Sequence, residues 1–146
     1  MSSKKKLLLV ENNPGDIMLT ELALDANHLS YDLTTVDSGN DGLDYIYKRE
    51  KYQHIEGYPD LILLDLNMPG IHGKEFLKII RQDDNIPNIP IVILTTSTSD
   101  KEKKECLVLG ASSFLIKSMD FDEFVADIGT LVGFFHSTVL KVVKNE

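Results

Sequence analysis

Cysteine occurs once, at position 106, so the chain can form no internal disulfide. A reducing, cytoplasmic compartment is the expectation. Basic charge is also scarce, with 15 Lys and Arg against 23 Asp and Glu, a net charge of −8. Nucleic-acid binders need a basic face, so that class is excluded, and cationic partners or ions fit better. Long apolar runs are missing as well. Lys4-Lys5-Lys6 leads into only Leu7–Val10 before Glu11-Asn12-Asn13, which is too short for the apolar region of a signal peptide. Nothing approaches the roughly 20 apolar residues of a membrane span. Repeats, linkers and low-complexity segments are absent. The 146 residues are read as a single domain over 1–146, with no room for a DNA-binding output domain.

What the chain does contain is a short apolar run that closes on a charge. Leu61-Ile62-Leu63-Leu64 runs straight into Asp65, and Leu66-Asn67-Met68-Pro69-Gly70 turns the chain at once. Such a run suits a central parallel strand buried on both faces. A carboxylate at its end makes sense at the mouth of an open α/β sheet, where ligands bind.

Strands and helices alternate along the rest of the chain. Strands are expected at Leu7–Val10, Tyr31–Val36, Asp60–Asp65, Pro90–Thr95 and Ser113–Ile116. Helices are expected from Pro14 to about Asn27, with Asn13 as N-cap, and from Gly42 to about Lys51. Further helices are expected over Lys74–Gln82, over Asp100–Leu109 and from Asp120 to about Lys144. This alternation predicts an α/β, flavodoxin-like, doubly wound sheet of five parallel strands in the order 2-1-3-4-5, with an extended C-terminal helix.

In that topology the ends of strands one, three, four and five lie side by side. Glu11-Asn12, Asp65, Thr95-Thr96 and Lys117 then surround one crevice. Glu11 and Asp65 suit a hard divalent cation such as Mg²⁺. Thr95 supplies a hydroxyl donor and Lys117 a fixed positive charge. A carboxylate nucleophile, a metal, a hydroxyl and a lysine are the parts needed to accept a phosphoryl group as an aspartyl phosphate.

With these residues in order, the chain resembles bacterial response-regulator receiver domains. The matching segments are LLLVENN, LILLDLNMPGIHG, PIVILTTS and ASSFLIKS, each at a strand end, and the likeness covers about residues 5–135. It implies a phosphoacceptor at Asp65, charged by a sensor histidine kinase, with only self-phosphorylation and slow autodephosphorylation rather than enzymatic turnover. It implies Mg²⁺ held by Glu11, the position of Asn12, Asp65 and the backbone carbonyl of Asn67. It implies that Thr95 and Lys117 contact the phosphoryl group. It also implies a switch formed by Thr95 and Phe114, although Phe114 has a plain core-packing reading too. A narrower likeness is to short receivers that partner bacterial phytochrome kinases, and onward transfer to a histidine phosphotransfer protein belongs to the same expectation.

Two departures matter. Asn12 stands where the family has a metal-binding aspartate, which predicts weakened Mg²⁺ affinity and slowed phosphorylation, with Asp16 compensating through a water. Ser118 follows Lys117 where the family has proline, which leaves cis and trans both open at this bond. The extension at about 136–146 carries, with the residues before it, Phe134, Phe135, Val139, Leu140, Val142 and Val143, too many apolar groups for one buried stripe. A homodimer through this helix and the fifth strand is the expectation.

The same residues bear on three other functions. A pseudo-receiver that no longer depends on phosphate is favoured by Asn12 and opposed by Asp65, Thr95 and Lys117. An aspartate-nucleophile phosphatase wants a second acid at the place of Asn67. A flavodoxin needs a phosphate cradle in the first loop, where Glu11 and Asp16 repel one. The bland readings complete the set. His28, His54, His72 and His136 are surface residues, Cys106 is a buried apolar residue, Lys101–Lys104 is a solvated face, and Gly129 and Gly133 soften a helix interior.

Overall fold

The computed structural model describes residues 4–67 and 70–131. Five strands form one parallel sheet in the order β2-β1-β3-β4-β5, as the alternating pattern predicted. They are β1 (Lys5–Val10), β2 (Tyr31–Val36), β3 (Leu61–Asp65), β4 (Ile91–Thr95) and β5 (Ser113–Ile116). The helices are α1 (Pro14–Ala26), α2 (Gly39–Tyr47), α3 (Gly73–Gln82), α4 (Asp100–Val108) and α5 (Phe121–Gly129).

Strand periodicity divides the core in two. Leu8, Val10, Ile62, Leu64, Ile91 and Ile93 face α2, α3 and α4, where they meet Ile46, Phe76, Leu77 and Cys106. Leu7, Leu9, Leu61, Leu63, Val92 and Leu94 face α1 and α5, where they meet Leu24, Phe124 and Ile128. Alternate side chains point to opposite faces, so a continuously apolar strand serves both layers. Every residue of β3 and β4 is buried. Register is thereby tightly held, because a one-residue slip would exchange the two faces of every strand.

Each helix starts on a side-chain cap. Asn13, Ser38, Ser99 and Asp120 accept from the backbone N–H three residues on, and His72 Nδ1 accepts from Lys74 N at 3.1 Å. The capping corrects α2, which was expected at Gly42–Lys51. It begins at Gly39 because Ser38 caps it, and Gly39 sits against the next loop, where a Cβ would lie 2.4 Å from the carbonyl oxygen of Ile71. It ends at Tyr47 because Lys48 takes a left-handed φ of 59°, and Glu50–Tyr52 forms a separate 3₁₀ turn. His72 is therefore a helix cap as well as a surface residue.

α5 ends at Gly129, with Thr130 as its cap, where a helix running to about Lys144 was expected. Residues 132–146, including Gly133, His136 and the apolar residues assigned to a dimer surface, lie outside the described residues. Cys106 is buried as expected. No peptide bond among the described residues is cis, so the Lys117–Ser118 bond is trans.

Gly129 does more than soften a helix. A Cβ there would come within 2.7 Å of Asn27 Oδ1. The Asn27 amide donates to Ala23 O at 2.8 Å and Val125 O at 2.9 Å, tying the end of α1 to α5. An exposed helical Gly→Ala change gains about 0.5–1 kcal/mol. Here Gly129→Ala is expected to lose about 1 kcal/mol instead, because it displaces a doubly bonded amide. In an Asn27→Ala background the same change should regain the ordinary sign. Urea unfolding of the four variants measures this, and a gain in both backgrounds would contradict the packing role.

Candidate phosphoacceptor site

Four side chains among the described residues are polar and buried: Glu11, Thr20, Asp65 and Thr95. Three of them are residues that the strand-end pattern singled out. Parallel pairing brings them together, since Val10 pairs with Leu64, Asp65 with Leu94, and Thr95 with Ile116. Each strand therefore delivers its last residue to the same rim.

Lys117 joins this rim by the hydrogen bond from its backbone N–H to Thr95 O, at 2.7 Å. Its ammonium donates to Glu11 Oε1 at 2.6 Å and to Asp16 Oδ2 at 2.9 Å, and stands 3.7 Å from Asp65 Oδ2. The first two are short charge-assisted hydrogen bonds. The third is an ion pair too long for a hydrogen bond. Asp65 Oδ1 also accepts from Asn67 N at 3.3 Å. Thr95 Oγ1 accepts from Ser97 N at 3.1 Å, which leaves the hydroxyl proton free to be donated.

Burial pushes the Glu11 carboxyl up to about 7. The hydrogen bond from Lys117 opposes this, and the adjoining Asp65 carboxylate adds to it. Burial works against the Lys117 charge, but its bonds to Asp16 and Glu11 and the field of Asp65 outweigh burial and raise its pKa. The cluster thus sets three carboxylates against one ammonium. That excess of negative charge at a sheet rim suits a cation or the electropositive centre of a transferable group.

A metal site can be tested against these donors. Among the described residues, no three His, Cys, Asp or Glu groups are arranged to hold a metal ion. Glu11 and Asp65 remain, close enough for their side chains to interact by hydrogen bonding. Mg²⁺ is commonly held by one or two carboxylates and completed by neutral oxygens and waters. The all-oxygen donor set fits that ion, with Asn12 exposed and bringing an amide rather than a charge.

Phe114 is half-buried and packs on the α4 side of the core, next to Ile93 in the β4–β5 register. It lies on the same face as Thr95 by strand parity. Asp16 has a partner that the sequence did not show: its carboxylate holds Lys117, 101 positions away. Asn40 was missed altogether. Its Oδ1 accepts from Ile71 N at 3.0 Å and braces the loop after β3 from the start of α2. No local signal marks that contact, because Asn40 precedes the helix expected from Gly42 and reads as an ordinary loop residue.

Comparison with known proteins finds relatives that cover most of the chain. The family model "Response regulator receiver domain" matches residues 7–129. Response regulator Rcp1 of Synechocystis is 29% identical over 135 residues, 92% of this chain and 91% of that protein. A structure of the phosphorylated cyanobacterial phytochrome response regulator RcpA superposes with a TM-score of 0.83 at 32% identity, covering 93% of this chain and 96% of that one. A Mn²⁺-bound structure of Rcp1 superposes with a TM-score of 0.80 at 28% identity, covering 90% and 94%.

The raised pKa of Glu11 has a thermodynamic sign. Between 4.5 and about 7 the folded chain holds more protons at Glu11 than the unfolded chain, so stability from this group is full at low pH and is lost as pH rises through that window. Glu11→Gln is expected to flatten that segment of the stability profile, as read by urea unfolding from about pH 4 to about pH 8. An unchanged slope would show that Glu11 titrates normally.

Proposed function

This chain belongs to the response regulator receiver domain family, and from that premise we propose that it is a phosphoacceptor of two-component signalling, charged on Asp65 by a sensor histidine kinase. The observation that carries this is the Lys117 ammonium, held at the strand ends beside a buried carboxylate that it does not hydrogen-bond. The attacking oxygen of Asp65 is thus not damped by a contact hydrogen bond to the ammonium.

In the transfer, an Asp65 carboxylate oxygen attacks the phosphorus of a phosphohistidine. An O–P bond forms and the P–N bond breaks. The electron pair leaves with the imidazole, which then takes up a proton from solvent. Lys117 offsets the charge on the phosphoryl oxygens, and the free Thr95 proton is donated to one of them. Glu11, Asp65, Asn12 and the Asn67 carbonyl would hold Mg²⁺, which when bound neutralises charge on the same oxygens. Asn67 provides no acid for a leaving group, so the chain is a consumed acceptor that dephosphorylates slowly, not a turnover enzyme.

Drawing Thr95 toward the phosphoryl group would vacate space that Phe114, on the same sheet face, can follow into. The dianion then biases a two-state surface rather than building a new one. The likeness to phytochrome response regulators supports a phytochrome-type kinase as donor, with a histidine phosphotransfer protein as a further acceptor. The fifth strand presents an edge with Ile116 exposed, which is compatible with a homodimer, although the helical half of that surface lies outside the described residues. No helix among the described residues is long and apolar enough to cross a membrane, and we place the chain in the cytoplasm.

The exposed, neutral Asn12 favours a second reading, a pseudo-receiver that binds partners without phosphate. A small phosphodonor with Mg²⁺ separates the two. Mass spectrometry is expected to find one acid-stable, base-labile phosphoryl adduct, lost in Asp65→Asn. No adduct at saturating Mg²⁺ would establish the pseudo-receiver.

Asn12→Asp adds one charge beside the ion. A unit charge about 4 Å away contributes roughly 1 to 4 kcal/mol per cationic charge across effective dielectrics of about 80 to 20, before desolvation. Mg²⁺ binding should therefore tighten by about tenfold or more. A metal titration giving equal or weaker affinity would remove Asn12 from the metal site.

A further inference from the structure

Asp16 is the one member of the charged cluster that the transfer step above does not use. It is fixed in the first turn of α1 at both backbone ends. Its N–H donates to the Asn13 cap at 3.0 Å, and its carbonyl accepts from the buried Thr20 hydroxyl at 2.8 Å. Its carboxylate reaches the Lys117 ammonium at 2.9 Å, closer than Asp65 does at 3.7 Å.

A lysine ammonium has three protons, and a single bond to Glu11 would leave it free to pivot. With Asp65 in reach, it would swing onto the nucleophile and form a contact ion pair. That pair would stabilise the unreacted carboxylate and lower its nucleophilicity. A second anchor at Asp16 prevents this.

We propose that Asp16 is a positioning residue that holds Lys117 back from Asp65, at the place where it meets the phosphoryl oxygens instead. The ammonium is thus arranged for the charge of the product and transition state rather than for the free carboxylate. A phosphoryl group on Asp65 extends beyond the carboxylate by a P–O bond, which brings its oxygens toward an ammonium kept at that distance. Asp16 also restores to the lysine side of the cluster the carboxylate that Asn12 does not supply on the metal side.

This rests on the phosphoacceptor reading, and two arms keep the ideas separate. The first measures phosphorylation of the full chain by acetyl phosphate at saturating Mg²⁺. Asp16→Ala is expected to lower the maximal rate by roughly ten- to a hundredfold, the scale of a misplaced catalytic group. Its effect on the acetyl phosphate concentration at half-maximal rate should be small. In a Lys117→Met background, over the slower rate left there, the same change should add nothing, whereas a merely structural role would subtract in both. A wild-type rate in Asp16→Ala, or an equal loss in both backgrounds, overturns the proposal.

The second arm needs no phosphate. A crystal structure of Asp16→Ala should show the Lys117 ammonium drawn in to hydrogen-bond distance of Asp65. If the wild-type chain takes up no phosphoryl group, the phosphoacceptor reading fails and the lysine position decides this point alone. An ammonium unmoved in the variant overturns the proposal whatever the first arm gives.

Discussion

One partly buried ammonium organises the C-terminal rim of the sheet. Lys117 is bonded to Glu11 and Asp16 and faces Asp65, so it links β5, the end of β1, the first turn of α1 and the end of β3. Without it, the buried Glu11 and Asp65 carboxylates would repel each other in a poorly hydrated crevice. Removing one partner from such a cluster costs far more than its net contribution to stability, because the remaining charges stay buried. The cluster is thus weak as a stabiliser and strong as a specifier of where each side chain sits.

The sheet makes this arrangement possible. Parallel pairing ends four strands at one rim, and the fully apolar β3 and β4 hold their register against slippage. The two core layers then take different tasks. The α1–α5 layer delivers Asp16 to the lysine and is tied together through Asn27 at the place Gly129 leaves open. The α2–α4 layer carries Phe114 and, on the same strand face, Thr95. The charged cluster and the Thr95–Phe114 pair thereby sit on opposite faces of one sheet and meet only at its rim.

Asn12 gives this chain its own character within the family. Asp65, Thr95 and Lys117 stand together at the rim, while Asn12 beside them brings an amide rather than a charge. Glu11 bonds Lys117 beside Asp65, and burial raises its pKa to about 7. Occupancy by a divalent ion and protonation of Glu11 are competing ways to relieve the same excess of negative charge.

Much of this was legible in the residues themselves. Apolar runs ending in Glu11, Asp65 and Thr95 announce strands and their rim, because a buried strand tolerates a polar terminus only where the sheet opens. The five strands and their order follow from alternation and short connections, which are local properties. The limits of α2 were not legible, since they depend on the Ser38 cap and on Gly39 meeting Ile71 from a distant loop. Asp16 shows the difference most clearly. Its type and its place in a first helical turn are read from sequence, but its partner lies 101 residues away. The sequence by itself determined which groups stand at the rim, because that depends on periodicity along each strand. Only the tertiary structure decided that Lys117 bonds Asp16 rather than Asp65, because that depends on how α1 packs across the sheet and on a difference of less than one ångström in the ammonium's distances to the two acceptors.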